Sequence, residues 1–152
     1  MTHSTHLTRI LHLENDEDVI YVASIALSEI GGLEVRHCAT ASEALQAIDT
    51  FEPQLLLLDY TMPSCSGPEF WQRFRSIPGY ESIPAIYLTA RAESAVSEEL
   101  FGLGALDVIT KPFDVIGIAE RLRRAWDRYT DQTLGSALDF AVSASRSRPV
   151  LN

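Results

Sequence analysis

Long apolar runs, cysteine and positive charge are all scarce in this chain of 152 residues. No stretch approaches the ~18–20 consecutive apolar residues that a membrane span needs. The opening Met1-Thr-His-Ser-Thr-His6 lacks the charged-then-apolar build of a secretory signal. Both absences lead to the expectation of a cytoplasmic protein without membrane contact. The two cysteines, Cys38 and Cys65, fit neither a disulfide framework nor a zinc-ligand spacing. Free thiols in a reducing compartment are therefore expected. Twelve Lys and Arg stand against 21 Asp and Glu, a formal net charge of −9. Nucleic-acid affinity rests largely on cations that neutralise phosphates, so no direct binding to DNA or RNA is expected. Basic protein partners and a divalent cation suit such a surface better.

What the chain does hold is enough apolar residue, 46% of the total, for the core of one ordinary domain. Short apolar runs alternate with helical patterns. Arg9–Leu13, Leu33–Cys38, Leu55–Leu58, Ile83–Leu88 and Ala105–Ile109 read as strands. Helical spacing runs from Val19 to Ile30 and stops at Gly31-Gly32. Thr40-Ala-Ser-Glu43 has a capping-box spacing ahead of a second helix reaching Phe51, and Pro53 breaks the chain after it. Gly67-Pro68 opens a third helix, Ser94 to Phe101 is a weaker fourth, and the fifth is expected from about Asp114 to Tyr129. The unbroken Leu55-Leu-Leu-Leu58 suggests a strand buried on both faces.

Five strands alternating with five helices imply a parallel sheet covered on both sides. Right-handed crossovers leave few topologies, among them a doubly wound, flavodoxin-like α/β fold of order 2-1-3-4-5. In such sheets ligands sit beyond the carboxyl ends of the strands, where the order reverses. Beyond Thr130, Leu134, Ala137, Leu138, Ala141 and Val142 keep helical spacing. A short extra amphipathic helix beginning near Asp131 or Thr133 and ending near residue 143 is expected there. The organisation read from the sequence is thus a tail at 1–7, one domain at 8–130 and a partly helical extension at 131–152.

The residues after the strands carry the chemistry. Glu14, Asn15 and Asp16 follow the first, Asp59 the third and Lys111 the fifth, and Thr89 closes the fourth. Acidic groups and an ammonium near a core are costly unless paired or bound to a ligand. The set suits phosphoryl transfer to a carboxylate, with Asp59 as the nucleophile. A magnesium ion held by carboxylates would relieve the repulsion between nucleophile and phosphoryl group. Lys111 and Thr89 would each hold a phosphoryl oxygen.

Four stretches in this order resemble the receiver domains of response regulators in two-component signalling: Ile10–Val19, Leu55–Pro63 with Gly67, Ile83–Ala90 and Gly104–Phe113. The intervals from 14 to 59, from 59 to 89 and from 89 to 111 match as well. The resemblance covers about residues 8 to 129. It implies that Asp59 is the phosphoacceptor, with Thr89 as the switch hydroxyl and Lys111 as the phosphate-binding lysine. Glu14 and Asn15 take the positions of the metal-holding acidic pair, and the Thr61 backbone carbonyl completes the Mg2+ site with Asp59. A cis Lys111-Pro112 bond is implied too, and energetically accessible. So are a histidine kinase or phosphotransfer protein as donor, a downstream protein target, and a partner or homodimer surface on the fourth helix, fifth strand and fifth helix, where Arg121, Arg123, Arg124 and Arg128 cluster.

Two positions depart from the family. Asn15 replaces an acidic ligand and brings no charge, so weaker magnesium binding and slower phosphorylation are expected; Asp16 should point elsewhere. Val108 stands where many relatives carry an aromatic that turns inward on activation. Tyr87 shares a strand face with Thr89 but is expected to pack. His12, His37, Trp71 and Trp126 are read as packing residues, and His3 and His6 as part of the tail. The leading reading is a stand-alone phosphoacceptor that is not an enzyme beyond slow self-dephosphorylation. The first rival is a degenerate receiver that binds proteins without phosphorylation. The second, an aspartyl-nucleophile phosphatase, is disfavoured because Thr61 stands where a second Asp should be.

Overall fold

The computed structural model describes residues 6–146, with side chains as far as Leu134. His3 and the polar stretch at Pro149 lie outside the described residues, and so do the side chains of Ala137, Leu138, Ala141 and Val142. The elements run β1 (Arg9–Leu13), α1 (Glu17–Ser24), β2 (Glu34–Cys38), α2 (Ala41–Phe51), β3 (Leu55–Leu58), α3 (Gly67–Arg75), β4 (Ala85–Thr89), α4 (Ser94–Gly102), β5 (Asp107–Thr110) and α5 (Ile118–Arg146). A π-helical stretch, Ile25–Ile30, continues α1. All strand pairs are parallel and the order is β2-β1-β3-β4-β5, as expected.

Side-chain alternation divides the core. Leu11, Leu13, Leu56, Leu58 and Tyr87 face α2, α3 and α4, where Ala44, Ile48, Phe70, Phe74 and Leu100 wait. Ile10, Leu55, Leu57, Ile86 and Leu88 face α1 and α5, against Ala23, Leu27, Leu122 and Trp126. All four leucines of β3 are fully buried, which is why that strand shows no polar alternation. Caps set the helix starts. The side chains of Asp16, Thr40 and Ser66 accept backbone N–H groups at the first turns of α1, α2 and α3. Pro68 occupies the first turn of α3.

Several boundaries differ from the sequence reading, β5 among them at Asp107–Thr110, and three of the differences have a visible cause. β4 begins at Ala85, because Pro84 has no N–H to donate and contributes only its carbonyl, to Leu56 N at 3.0 Å. α5 begins at Ile118 rather than near Asp114. Asp114 instead forms the turn before the helix, its Oδ1 accepting Ile116 N at 3.1 Å and its carbonyl accepting Ile118 N at 2.9 Å. The third difference is a correction: no new helix starts near Asp131 or Thr133, because α5 runs unbroken to Arg146. The hydroxyls of Thr130 and Thr133 donate to the Trp126 carbonyl at 3.1 Å and the Tyr129 carbonyl at 2.9 Å. Bonded back into the preceding turn, these hydroxyls do not cap a new helix.

Candidate phosphoacceptor site

The strand order reverses around β1 and β3, and the two carboxylates of the site follow these two strands. Glu14 N donates to the Cys38 carbonyl at 3.0 Å, and Asp59 N to the Leu13 carbonyl at 3.3 Å. Both residues thus extend the sheet by one step and hold their side chains at its carboxyl edge. Lys111 arrives from β5, its N–H bonded to the Thr89 carbonyl at 3.0 Å. The Lys111-Pro112 bond is cis, as expected.

Lys111, the sequence's one lysine, bridges the two carboxylates. Its Nζ donates to Glu14 Oε1 at 2.5 Å and to Asp59 Oδ2 at 2.9 Å. The side chains of Glu14, Asp59 and Lys111 are 1%, 13% and 15% exposed, so the charges are strongly felt. Burial alone would push the Lys111 ammonium down. The hydrogen bonds and charges of Glu14 and Asp59 outweigh it, and its pKa lies above the usual lysine value. Asp16 N donates to the second Glu14 oxygen, Oε2, at 3.1 Å. Asp59 Oδ1 has only a long 3.4 Å contact, from Thr61 N.

Other expected site residues surround this triad. Thr89 is buried at the end of β4, and its hydroxyl oxygen accepts Arg91 N at 3.0 Å. Thr61 lies in the β3–α3 loop, bridged to Ser66. Asn15 is exposed beside Glu14. The Asp16 carboxylate caps α1, its Oδ1 accepting Asp18 N at 2.9 Å and Val19 N at 3.4 Å. Gly67 closes the loop over Asp59. Its N–H donates to the Tyr60 carbonyl at 2.9 Å. A Cβ there would collide with the Asp59 carbonyl oxygen and stand 2.7 Å from Tyr87 Cε1.

The oxygen donors suit a hard divalent cation: two carboxylates, an amide oxygen at Asn15 and a backbone carbonyl at Thr61. Among the described residues no group of three or more His, Cys, Asp and Glu side chains could hold a metal.

The family model for the response regulator receiver domain matches residues 10–123. This chain belongs to that family. The receiver domain is 34% identical over 125 residues to the phosphate regulon transcriptional regulatory protein PhoB of Rhizobium meliloti, covering 81% of this chain and 54% of that protein. It is 30% identical over 127 residues to the KDP operon transcriptional regulatory protein KdpE of Escherichia coli, covering 84% and 55%. The chain thus spans about half the length of these curated relatives. A putative response regulator from Chloroflexus aurantiacus superimposes with a TM-score of 0.70 at 28% identity, over 79% of this chain and 98% of that one. A receiver domain protein from Methanospirillum hungatei does so with the same TM-score at 26% identity, over 83% and 98%.

In this receiver domain Tyr87 is fully buried, edge-on to Trp71 at 6.2 Å and paired in register with Val108. Burial pushes its phenol well above the usual range. Among the described residues its hydroxyl is the one buried side-chain polar atom without a partner. Trp71, by contrast, donates to the Ile83 carbonyl at 3.0 Å. Two of the four α5 arginines are tied to other elements of the fold. Arg121 forks onto Asp107 at 2.7 and 2.9 Å, and Arg123 donates to the Gly31 carbonyl.

Sequence reasoning missed a second group beside the acceptor. The Tyr60 hydroxyl donates to Glu99 Oε2 at 2.9 Å, and the Arg91 guanidinium lies over the Tyr60 ring. Adjacency to Asp59 was the only available signal for Tyr60. Its partner stands on another helix, at no spacing that a sequence pattern reveals.

Proposed function

We propose that this receiver domain accepts a phosphoryl group on Asp59 from a histidine kinase or phosphotransfer protein and passes the signal on by protein contact. The observation that carries the reading is the Lys111 bridge between Glu14 and Asp59 at the carboxyl edge of the sheet. In the reaction an Asp59 carboxylate oxygen attacks phosphorus, the bond from phosphorus to the donor nitrogen breaks, and the donor imidazole leaves with the electron pair. Asp59 Oδ1 is the oxygen that the ammonium does not hold. Lys111 follows the charge as it moves from carboxylate to phosphoryl oxygen, and the Thr89 hydroxyl turns to donate to another. Glu14, Asn15, Asp59 and the Thr61 carbonyl are the residues that would hold Mg2+. The ion would supply charge neutralisation between nucleophile and donor.

The role is that of a signalling module with slow self-dephosphorylation, acting in the cytoplasm. Residues 8–130 form the phosphoacceptor unit and 131–152 an extension. Net charge −9 disfavours nucleic-acid contact by these residues themselves. Exposed Phe101, Leu103 and Ile116 around α4 and the start of α5 support a partner or homodimer surface on the α4–β5–α5 side. No helix among the described residues is long and apolar enough to cross a membrane.

Intact mass after incubation with acetyl phosphate and magnesium tests the reading. One phosphoryl group is expected on the wild type and none on Asp59→Asn. The absence of any addition to the wild type would favour the second reading, a receiver that binds partners without phosphorylation, for which the neutral Asn15 speaks. Asn15→Asp restores a charge beside the cation, worth about 1–4 kcal/mol at ~4 Å. Magnesium affinity is expected to rise about tenfold in that variant.

A further inference from the structure

Tyr60 follows the acceptor directly and packs, half-buried, against the α3–α4 side of the core. Its hydroxyl reaches Glu99 Oε2 on α4 at 2.9 Å. Arg91 stands 5.4 Å from the ring centroid and forms only a loose 3.7 Å pair with Glu93. The Arg91 backbone N–H is bonded to the Thr89 hydroxyl oxygen at 3.0 Å. A continuous set of contacts therefore leads from Asp59 and Thr89 to a single helix.

That helix is lightly held. The Glu93 side chain makes no capping bond at its start, unlike Asp16, Thr40 and Ser66 at α1, α2 and α3. Of its nine residues only Val96 and Leu100 are buried. A helix this short is not stable by itself, so each tether weighs in its position. Phe101, at its end, is exposed.

We propose that Tyr60, Arg91 and Glu99 form a latch between the acceptor loop and α4, and that phosphorylation of Asp59 opens it. The inference rests on Asp59 being the phosphoacceptor. A phosphoryl group brings almost two negative charges to the residue next to Tyr60. It attracts the Arg91 guanidinium, which is solvent-accessible and loosely paired, and it draws the Thr89 hydroxyl away from Arg91 N. With the cation withdrawn from the Tyr60 ring, the new charge repels Glu99 and the Tyr60–Glu99 bond yields. Such coupling is reciprocal: a contact that phosphorylation breaks must oppose phosphorylation while intact. Tyr60 and Glu99 are thus positioning residues, and removing their bond favours the modified state.

The test uses the whole chain with beryllofluoride and magnesium as the phosphoryl analogue, alongside phosphorylation by acetyl phosphate read as mass. A net hydrogen bond is worth about a factor of five. Tyr60→Phe and Glu99→Ala are each expected to bind beryllofluoride about fivefold more tightly than wild type. In the free protein both speed amide exchange across residues 94–102 by about the same factor. Once beryllofluoride is bound, wild type and variants exchange alike. Wild type that binds, with both variants unchanged in affinity, overturns the latch and leaves the acceptor reading standing. Wild type that takes neither phosphoryl nor beryllofluoride overturns both.

Discussion

His12 shows how a sequence position acquires a physical character only from its neighbours. It sits in β1 at 1% exposure, its Nδ1 2.9 Å from Nδ1 of His37 in the paired strand. Burial, then the charges of His37 and Lys111, lower its pKa to about 3. The folded protein therefore keeps this imidazole neutral, whereas the unfolded chain protonates it below its ordinary value of 6.5. Stability falls as pH falls through that window, by about 1.4 kcal/mol per unit. Urea unfolding at pH 7 and pH 5 is expected to show wild type losing about 2 kcal/mol more than His12→Leu; equal losses would contradict a neutral buried His12. Gly67 is decided at the same scale. Gly67→Ala drives a methyl into the Asp59 carbonyl and the Tyr87 ring. The expected cost is about 1–3 kcal/mol of stability, with slower phosphorylation of Asp59 because the acceptor loop shifts. Unchanged stability and rate would mean that the loop has room the packing denies it.

At the scale of elements, the unbroken apolar run of β3, the short apolar run of β1 and the helical period of α2 made these three readable to the residue or nearly so. The Thr40 hydroxyl accepts Glu43 N at 3.1 Å, and Glu43 Oε2 in return accepts Ala39 N at 3.1 Å. Other ends were read less well, and α5 is the clear case: Asp131 and Thr133 looked like a start and prove to be interior. The end of α2 carries a conformational cost instead. Glu52 is left-handed, with φ of 52°, which L-residues pay for at roughly 1–2 kcal/mol, offset in a glycine by extra entropy in the unfolded chain. Glu52→Gly is expected to stabilise the domain by about 0.5–1 kcal/mol, read as a higher urea midpoint at constant slope. A lower midpoint would show that the Glu52 side chain contributes more than its backbone costs.

For the whole molecule, α5 is anchored by Leu122, Ala125 and Trp126 in the core and by the Tyr129 hydroxyl on the Ser82 carbonyl at 2.6 Å. Asp131–Leu134 are exposed. A chain ending at residue 130 is expected to unfold within about 0.5 kcal/mol of the full chain and to be phosphorylated equally fast. A larger loss would place residues 131–152 within the cooperative unit. The alternation of strands and helices, the helical layers on both faces and the gathering of Glu14, Asp59, Thr89 and Lys111 at the carboxyl ends of their strands were legible in the sequence alone, which left the strand order as one of a few. Hydrophobic period and chain connectivity admit few topologies, and each of these residues ends a strand or directly follows one. Only the tertiary structure decided which of them touch, with Lys111 bridging both carboxylates and Asn15 exposed beside them. It alone placed Tyr60 on Glu99, buried the Tyr87 hydroxyl without a partner and paired His12 with His37. Those contacts join residues far apart in the chain, through side-chain directions set by packing, and no local pattern encodes them.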